Sequence, residues 1–286
     1  MALTELLLHG TPALVLQGLD GARAVVTLHG GHVVSWQPAG GHGEQLYLSP
    51  RSGFGAGHAI RGGVPVVFPQ FSDRGLLPRH GFARNRAWQL QAGSDLPDGG
   101  ATAVLRLSDD AQTRALWPYA FALELQLRLV DQSLEIALQC SNTGTVAWQC
   151  MAALHTYLRV NDSAQAQVSG LAGRRYWDAV DAQGKTQTEA ALQFPGEVDR
   201  VYAGIDDAVV LQDLGAPVRR SVQVTQRGFA DIVVWNPGPQ RCAALPDMPS
   251  DGFSAMVCIE SARIAQPVTL APAQAWTGRQ RLCLRT

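Results

Sequence analysis

The sequence has little lysine and almost no net charge. Lys185 is the only lysine among 23 basic residues, and the formal net charge is −1. A nucleic-acid-binding surface needs a basic stripe, and the sequence contains none that is apparent. A net charge this small also creates no overall field that would draw the chain to an acidic membrane. We therefore expect neither a nucleic-acid partner nor a membrane partner.

Long apolar runs and paired cysteines are missing as well. No stretch approaches the ~20 apolar residues that a membrane helix needs, and the start, Met1 to Glu5, lacks the basic region of a signal peptide. The five cysteines form no C-x-x-C pair and have no metal-ligand spacing. Most of them lie in apolar runs, where a free cysteine behaves as a small hydrophobe. We expect a cytoplasmic protein without a disulfide framework or a metal centre.

A sustained helical period is absent, which disfavours an alternating arrangement of parallel strands and helices. Short strand-like runs dominate instead. The strongest signal is the alternation of leucines over 123–129, which resumes over 134–140 after Asp131-Gln132 and predicts an antiparallel hairpin with one buried face. The clearest helix is short, from Asp109 to Leu116, and Trp117-Pro118 ends it.

Glycine, proline and apolar residues are plentiful. The chain has 29 glycines, 16 prolines and 46% hydrophobic residues, which is typical of a globular, turn-rich protein. Neither an internal repeat nor a low-complexity linker divides it. We predict an all-β fold, a large antiparallel β-sandwich with few short helices, in one domain over residues 1–286.

The stretch from Ala59 to Trp88 carries two motifs punctuated by glycine and proline, RGGVPVVFPQF from Arg61 and LPRHGFARN from Leu77. Four cationic or potentially cationic side chains lie in them, at Arg61, Arg79, His80 and Arg84. Guanidinium groups present a planar fork of donors that fits phosphate or carboxylate oxygens. Taken alone, the residues fit a solvated surface loop equally well.

Both motifs closely resemble those of the hexose-6-phosphate mutarotases, the glucose-6-phosphate 1-epimerase branch of the aldose 1-epimerase superfamily. The similarity continues towards the C-terminal end, except that Ala273 stands where relatives usually carry glycine. The resemblance implies a galactose-mutarotase-like sandwich and an isomerase that interconverts the α and β anomers of hexose 6-phosphates, glucose 6-phosphate in particular. It also implies a small sugar phosphate as ligand and no cofactor. We expect a monomer.

A first catalytic candidate is His155, in the segment MAALHTYLRV. A period of two places His155, Tyr157 and Arg159 on one face of a strand, opposite Leu154 and Leu158. That pattern fits a strand lining a cleft and also a half-exposed outer strand. The segment resembles the H-x-Y motif of the family, which implies that His155 is catalytic.

Glu260 is the second candidate, directly after the apolar run Ala255–Ile259. A carboxylate there is costly unless it is paired or used, and Arg263 could pair with it. The sequence MVCIESA around Glu260 resembles the catalytic glutamate strand of the family. The preceding loops, VWNP from 234 and PDMPSDGF from 246, resemble those that build the sugar pocket.

Asp199, in the sequence EVDRVY, is a third candidate. It resembles the acidic residue that binds sugar hydroxyls in the family. Asp206-Asp207 is a nearby rival for that role, although such a pair is more often a plain turn.

The implied chemistry needs one base and one acid on opposite sides of the C1–O5 bond, and no metal, redox cofactor or covalent intermediate. The resemblance assigns the base to Glu260 and the acid to His155, and it leaves Arg61, Arg79 and Arg84 to hold the 6-phosphate. One alternative is an epimerase for unphosphorylated sugars, against which the arginines argue. Another is a non-catalytic carbohydrate-binding or sensing protein on the same fold, and the joint presence of His155 and Glu260 argues against it.

Overall fold

The computed structural model describes residues 3–215 and 219–285. Its strands are β1 (Leu3–Leu8), β2 (Thr11–Gln17), β3 (Arg23–Thr27), β4 (His32–Gln37), β5 (Val66–Val67), β6 (Gln89–Asp95), β7 (Ala101–Ser108), β8 (Phe121–Val130), β9 (Ser133–Asn142), β10 (Trp148–Leu154), β11 (Tyr157–Arg159), β12 (Ala166–Ser169), β13 (Arg175–Asp178), β14 (Gln183–Thr186), β15 (Ala191–Leu192), β16 (Val198–Ala203), β17 (Val209–Asp213), β18 (Arg220–Arg227), β19 (Asp231–Asn236), β20 (Met256–Leu270) and β21 (Ala275–Arg285). The α-helices are α1 (Ala111–Leu116) and α2 (Gly238–Ala243). Within the described residues, no helix is long and apolar enough to cross a membrane.

The strands form three antiparallel sheets. A four-stranded sheet has the order β1-β2-β3-β4, and a nine-stranded sheet has the order β15-β12-β17-β18-β21-β9-β8-β7-β6. The third sheet runs β14-β13-β16-β19-β20-β10-β5, and β11 also pairs with β20. The predicted all-β, antiparallel fold with few short helices is confirmed.

The predicted hairpin and helix are both present. Strands β8 and β9 pair along their whole length, with their inward leucines fully buried. Helix α1 begins at Ala111, two positions after the predicted start, because Asp110 is its N-cap and accepts a hydrogen bond from the backbone N–H of Thr113. The predicted end at Leu116 is correct.

The main apolar core collects residues from all three sheets. Ile232 and Val234 of β19, and Val257 and Ile259 of β20, are buried in it. Because side chains alternate along a strand, the intervening residues of β19 and β20 point to the opposite face of the third sheet. That face carries the candidate site.

The segment around His155 is two short strands rather than the single strand that the alternation predicted. Strand β10 ends at Leu154 and β11 begins at Tyr157. Between them Thr156 points into the molecule, where its hydroxyl donates a 2.5 Å hydrogen bond to Oε1 of the buried Gln280. His155 and Tyr157 are buried on the cavity side, whereas Arg159 is exposed. The half-exposed outer strand considered above is therefore wrong.

A pair of glycines brings two segments close together beside β11. Gly63 has φ of +60°, and a Cβ at this position would lie 2.2 Å from the carbonyl oxygen of Val33. The carbonyl of Gly63 accepts a 2.8 Å hydrogen bond from the backbone N–H of Tyr157. Gly63 therefore allows the close approach that places the strand carrying Tyr157.

We expect Gly63→Ala to lower the free energy of unfolding by about 2–4 kcal/mol, since left-handed backbone and a backbone clash each cost on the order of 1–3 kcal/mol. Urea unfolding measures this. Gly184→Ala in β14 is the matched control, because its added Cβ meets no heavy atom within 4 Å. The control should change stability by less than about 0.5 kcal/mol, and equal effects at both positions would contradict the role given to Gly63.

Candidate active site

All seven residues predicted for the site line one cavity of about 200 Å³: Arg61, Arg79, His80, Arg84, His155, Asp199 and Glu260. They come from distant parts of the chain. Glu260 and Asp199 lie on the strands β20 and β16, and His155 lies between β10 and β11. The remaining four lie in the segments that follow β4 and β5, with Arg84 in a single 3-10 turn.

His155 and Glu260 are in contact at the buried end of the cavity. The Nε2 atom of His155 lies 3.3 Å from Oε1 of Glu260, and the two side chains are only 10% and 2% exposed. Glu260 lies inside β20 rather than after it, and among the described residues its carboxyl group contacts His155 rather than forming an ion pair with Arg263. Within the same described residues, Nδ1 of His155 and Oε2 of Glu260 have no hydrogen-bond partner.

Burial pushes both groups towards their neutral forms. It lowers the pKa of His155 well below its usual value, and the nearby His80, Arg84 and Arg61 lower it further. It raises the pKa of Glu260 well above the usual value for a carboxyl group, and the charge of Asp199 adds to this effect. Both shifts favour a neutral carboxyl group of Glu260 beside a neutral imidazole of His155.

Aromatic rings fix the orientation of the His155 imidazole. The ring of Tyr157 stacks on it at 4.8 Å between centroids and an interplanar angle of 10°. Trp235 and His80 approach it edge-on at 6.1 Å and 5.3 Å. Because the ring has neighbours on several sides, its position is set before any ligand enters.

The second imidazole, His80, is held as a neutral hydrogen-bond donor. Its Nδ1 accepts a 3.3 Å hydrogen bond from the backbone N–H of Ser72, so the ring proton lies on Nε2. Burial first, and then the charge of Arg84, lowers the pKa of His80 to about 3. His80 is therefore not a cation at neutral pH.

The three predicted arginines are held to different degrees. Arg61 donates to Oδ2 of Asp247 at 3.1 Å and to the hydroxyl of Tyr157 at 3.0 Å. Arg84 donates from Nη2 to the carbonyl of Arg79 at 2.8 Å, while its Nε is buried and has no partner among the described residues. Arg79 forms an ion pair with Asp73 at 3.0 Å on the protein surface.

The cavity also holds one further carboxylate. Asp199 lies opposite Trp235 in the pairing of β16 with β19. Burial raises the pKa of Asp199 to about 6, although Arg241 and Arg79 act in the opposite direction. Its rival pair does not line the cavity, since Asp206 is exposed and Asp207 forms an ion pair with Arg174 at 2.6 Å.

Some lining residues were not predicted from the sequence: Phe71, Ser72, Val233, Arg241 and Leu245. Arg241 lies in α2 and forms an ion pair with Glu197 at 3.1 Å. The buried amide of Asn236 accepts a hydrogen bond from the backbone N–H of Gly238, at the start of α2. The motif around Asn236 indicated a pocket loop, but no local pattern distinguishes Arg241 from other surface arginines.

One set of three donor side chains beside the cavity has the chemistry of a metal site. Ligand atoms of His155, Cys258 and Glu260 all lie within 4.8 Å of one another, and all three residues are buried. Sequence spacing gave no sign of this group, because the fold brings His155 next to a strand that lies much later in the chain.

Comparison with known proteins places the chain among sugar epimerases. The family described as aldose 1-epimerase matches residues 12–283. An Escherichia coli protein named "Putative glucose-6-phosphate 1-epimerase" is 39% identical over 84% of this chain and 79% of its own length. A Cenchrus ciliaris protein with the same name is 33% identical over 94% of this chain and 84% of its own length.

A solved structure of similar fold supports the same assignment. The crystal structure of "a putative mutarotase (YeaD)" from Salmonella typhimurium has a TM-score of 0.90 and 32% identity, and the match covers 100% of this chain and 94% of that one. The galactose-mutarotase-like architecture expected from the sequence is thus confirmed. The chain belongs to the aldose 1-epimerase family.

Proposed function

We propose that this protein interconverts the α and β anomers of hexose 6-phosphates, with glucose 6-phosphate as the principal substrate. The main observation in support is that a buried imidazole–carboxyl pair and three arginines line the same cavity. The names of the bacterial and plant relatives support the same substrate.

The His155–Glu260 pair supplies the proton transfers. In ring opening, one member takes the proton of the C1 hydroxyl and the other gives a proton to the ring oxygen O5. Reclosure after rotation about the C1–C2 bond reverses both transfers, so the pair ends with the proton count with which it began. Each transfer is worth roughly 10²–10⁴-fold in rate.

The phosphate group sets which member acts as the base. The charges of Arg84 and Arg61 disfavour a protonated His155. A phosphate dianion bound between these guanidinium groups offsets their charge, so it favours the imidazolium of His155 beside the carboxylate of Glu260. In the complex, Glu260 is then the base and His155 the acid.

Arg84 is the arginine best prepared to receive the phosphate. Its buried Nε has no hydrogen-bond partner among the described residues. No described carboxylate forms an ion pair with the Arg84 guanidinium group. Arg61 is already held in place by Asp247 and Tyr157, so it binds an anion with little loss of side-chain entropy.

Exchange between the anomers of glucose 6-phosphate, followed by NMR, tests the catalytic pair. His155→Gln and Glu260→Gln should each lower kcat/KM by at least about 10²-fold, since each variant removes one proton-transfer group. His42→Gln, at an exposed position, is the control and should retain wild-type activity. Wild-type rates in either cavity variant would favour the non-catalytic carbohydrate-binding alternative.

Replacing Arg84 tests the specificity for phosphate. We expect Arg84→Ala to raise KM for glucose 6-phosphate by about 10–100-fold, because a charge-assisted hydrogen bond contributes about 1.5–3 kcal/mol. Turnover of free glucose should change little. The measurement is kcat/KM for both sugars in both proteins. Equal losses on the two sugars would mean that Arg84 is structural and would favour an epimerase of unphosphorylated sugars.

In the proposed function, the carboxylate of Asp199 accepts hydrogen bonds from sugar hydroxyls. Its ionisation should lower the free energy of unfolding at neutral pH. Its folded-state pKa of about 6 lies above the unfolded value, so its ionisation destabilises the fold as the pH rises through this interval. Asp199→Asn should therefore raise the free energy of unfolding by about 1–3 kcal/mol above pH 6, and the gain should disappear below pH 4. Urea unfolding at both pH values, with Asp206→Asn as the exposed control, checks this. A gain independent of pH would contradict it.

A further inference from the structure

Cys258 lies beside the catalytic pair and has no part in the proton transfers described above. It is two residues before Glu260 in β20, so both side chains point to the same face. It also pairs with Tyr157 in β11, which places it next to His155. The buried thiol of Cys258 therefore lies beside the contact between His155 and Glu260, the only contact between a histidine and a carboxyl group among the described ion pairs.

The three ligand atoms lie close enough together to form a tetrahedral zinc site after small side-chain movements. Zinc binds histidine nitrogen and carboxylate oxygen at about 2.0–2.2 Å and thiolate sulfur at about 2.3 Å, which corresponds to ligand–ligand edges of about 3.3–3.7 Å. The Nε2 and Oε1 atoms of His155 and Glu260 are already 3.3 Å apart. The sulfur of Cys258 lies within 4.8 Å of both residues' ligand atoms, so side-chain movements of about 1 Å complete the set.

The surroundings also suit a divalent ion. Glu260 has a second buried oxygen, Oε2, without a partner among the described residues. A bound ion deprotonates a coordinating thiol, and a thiolate with a carboxylate balances the two positive charges. His155 and Glu260 both line the cavity, so the fourth coordination position opens towards it.

We propose that His155, Cys258 and Glu260 form a zinc-binding site, and that zinc binding and anomer interconversion exclude each other. Zinc takes the nitrogen and the carboxylate through which the protons move, so an occupied site has neither an acid nor a base. The inhibition rests on the proposed function, whereas metal binding does not.

Binding is tested on chelator-treated full-length protein by calorimetric titration with zinc chloride. The wild-type chain should bind one ion, and Cys258→Ala should bind at least about 10²-fold more weakly. Cys242→Ala is the matched control, a buried cysteine outside the donor set that should bind as the wild type does. Unchanged binding by Cys258→Ala, or no binding by the wild type, would overturn the site.

Cobalt gives a second measurement on the wild-type chain that needs no variant. Co²⁺ bound here should show the charge-transfer absorption of a cobalt–thiolate bond and the intense visible bands of tetrahedral coordination. Cobalt bound without the thiolate band would exclude Cys258 as a ligand.

Activity measurements with and without zinc separate this inference from the proposed function. With chelator present, Cys258→Ala should interconvert the anomers of glucose 6-phosphate at the wild-type rate, and its half-inhibiting zinc concentration should be at least about 10²-fold higher. Full activity of the wild type with zinc bound would overturn the mutual exclusion. If the chelated wild type has no activity, the proposed function fails, while the calorimetric and cobalt results still decide the metal site.

Discussion

The structure depends on burying two titratable groups in contact with each other. An imidazole and a carboxyl group removed from water are costly as ions, and one partner left alone would be costlier still. His155 and Glu260 meet this constraint by lying in contact, with 3.3 Å between Nε2 and Oε1, while burial favours the neutral form of each group. The break between β10 and β11 serves the same arrangement, because Thr156 turns inward to Gln280 and thereby leaves His155 on the cavity side.

Burial and nearby charges disfavour the ionised forms of several side chains around the cavity. Arg61 and Arg84 disfavour the imidazolium of His155, and burial disfavours the ionised form of Asp199. Under the proposed function, the substrate relieves both penalties, because it brings a phosphate to the arginines and hydroxyl groups to the carboxylate. A site of this kind lowers the stability of the free fold and recovers the difference on binding.

The sequence predicted those features that are carried by local patterns. A period of two predicted the hairpin of β8 and β9, and two continuous motifs contained four of the residues that line the cavity, Arg61, Arg79, His80 and Arg84. The single strand through His155 was wrong because alternation does not register an inserted turn. Cys258 comes close to His155 only through the pairing of β20 with β11, and Arg241 reaches the cavity on α2, and no local pattern encodes either placement. Ala273, where relatives usually carry glycine, keeps the left-handed conformation with φ of +63°.

The close contact of the two proposed catalytic groups changes the geometry expected for the reaction. From the chemistry alone, the acid and the base were placed on opposite sides of the C1–O5 bond. Yet the oxygens that exchange protons, the C1 hydroxyl and O5, are bonded to the same carbon, so neighbouring groups can reach both. His155 Nε2 and the two oxygens of Glu260 form such a neighbouring set, and Oε2 is without a partner among the described residues. A sugar whose C1 meets this set can exchange both protons within one water-excluded contact, which also prevents the open-chain aldehyde from reacting with solvent.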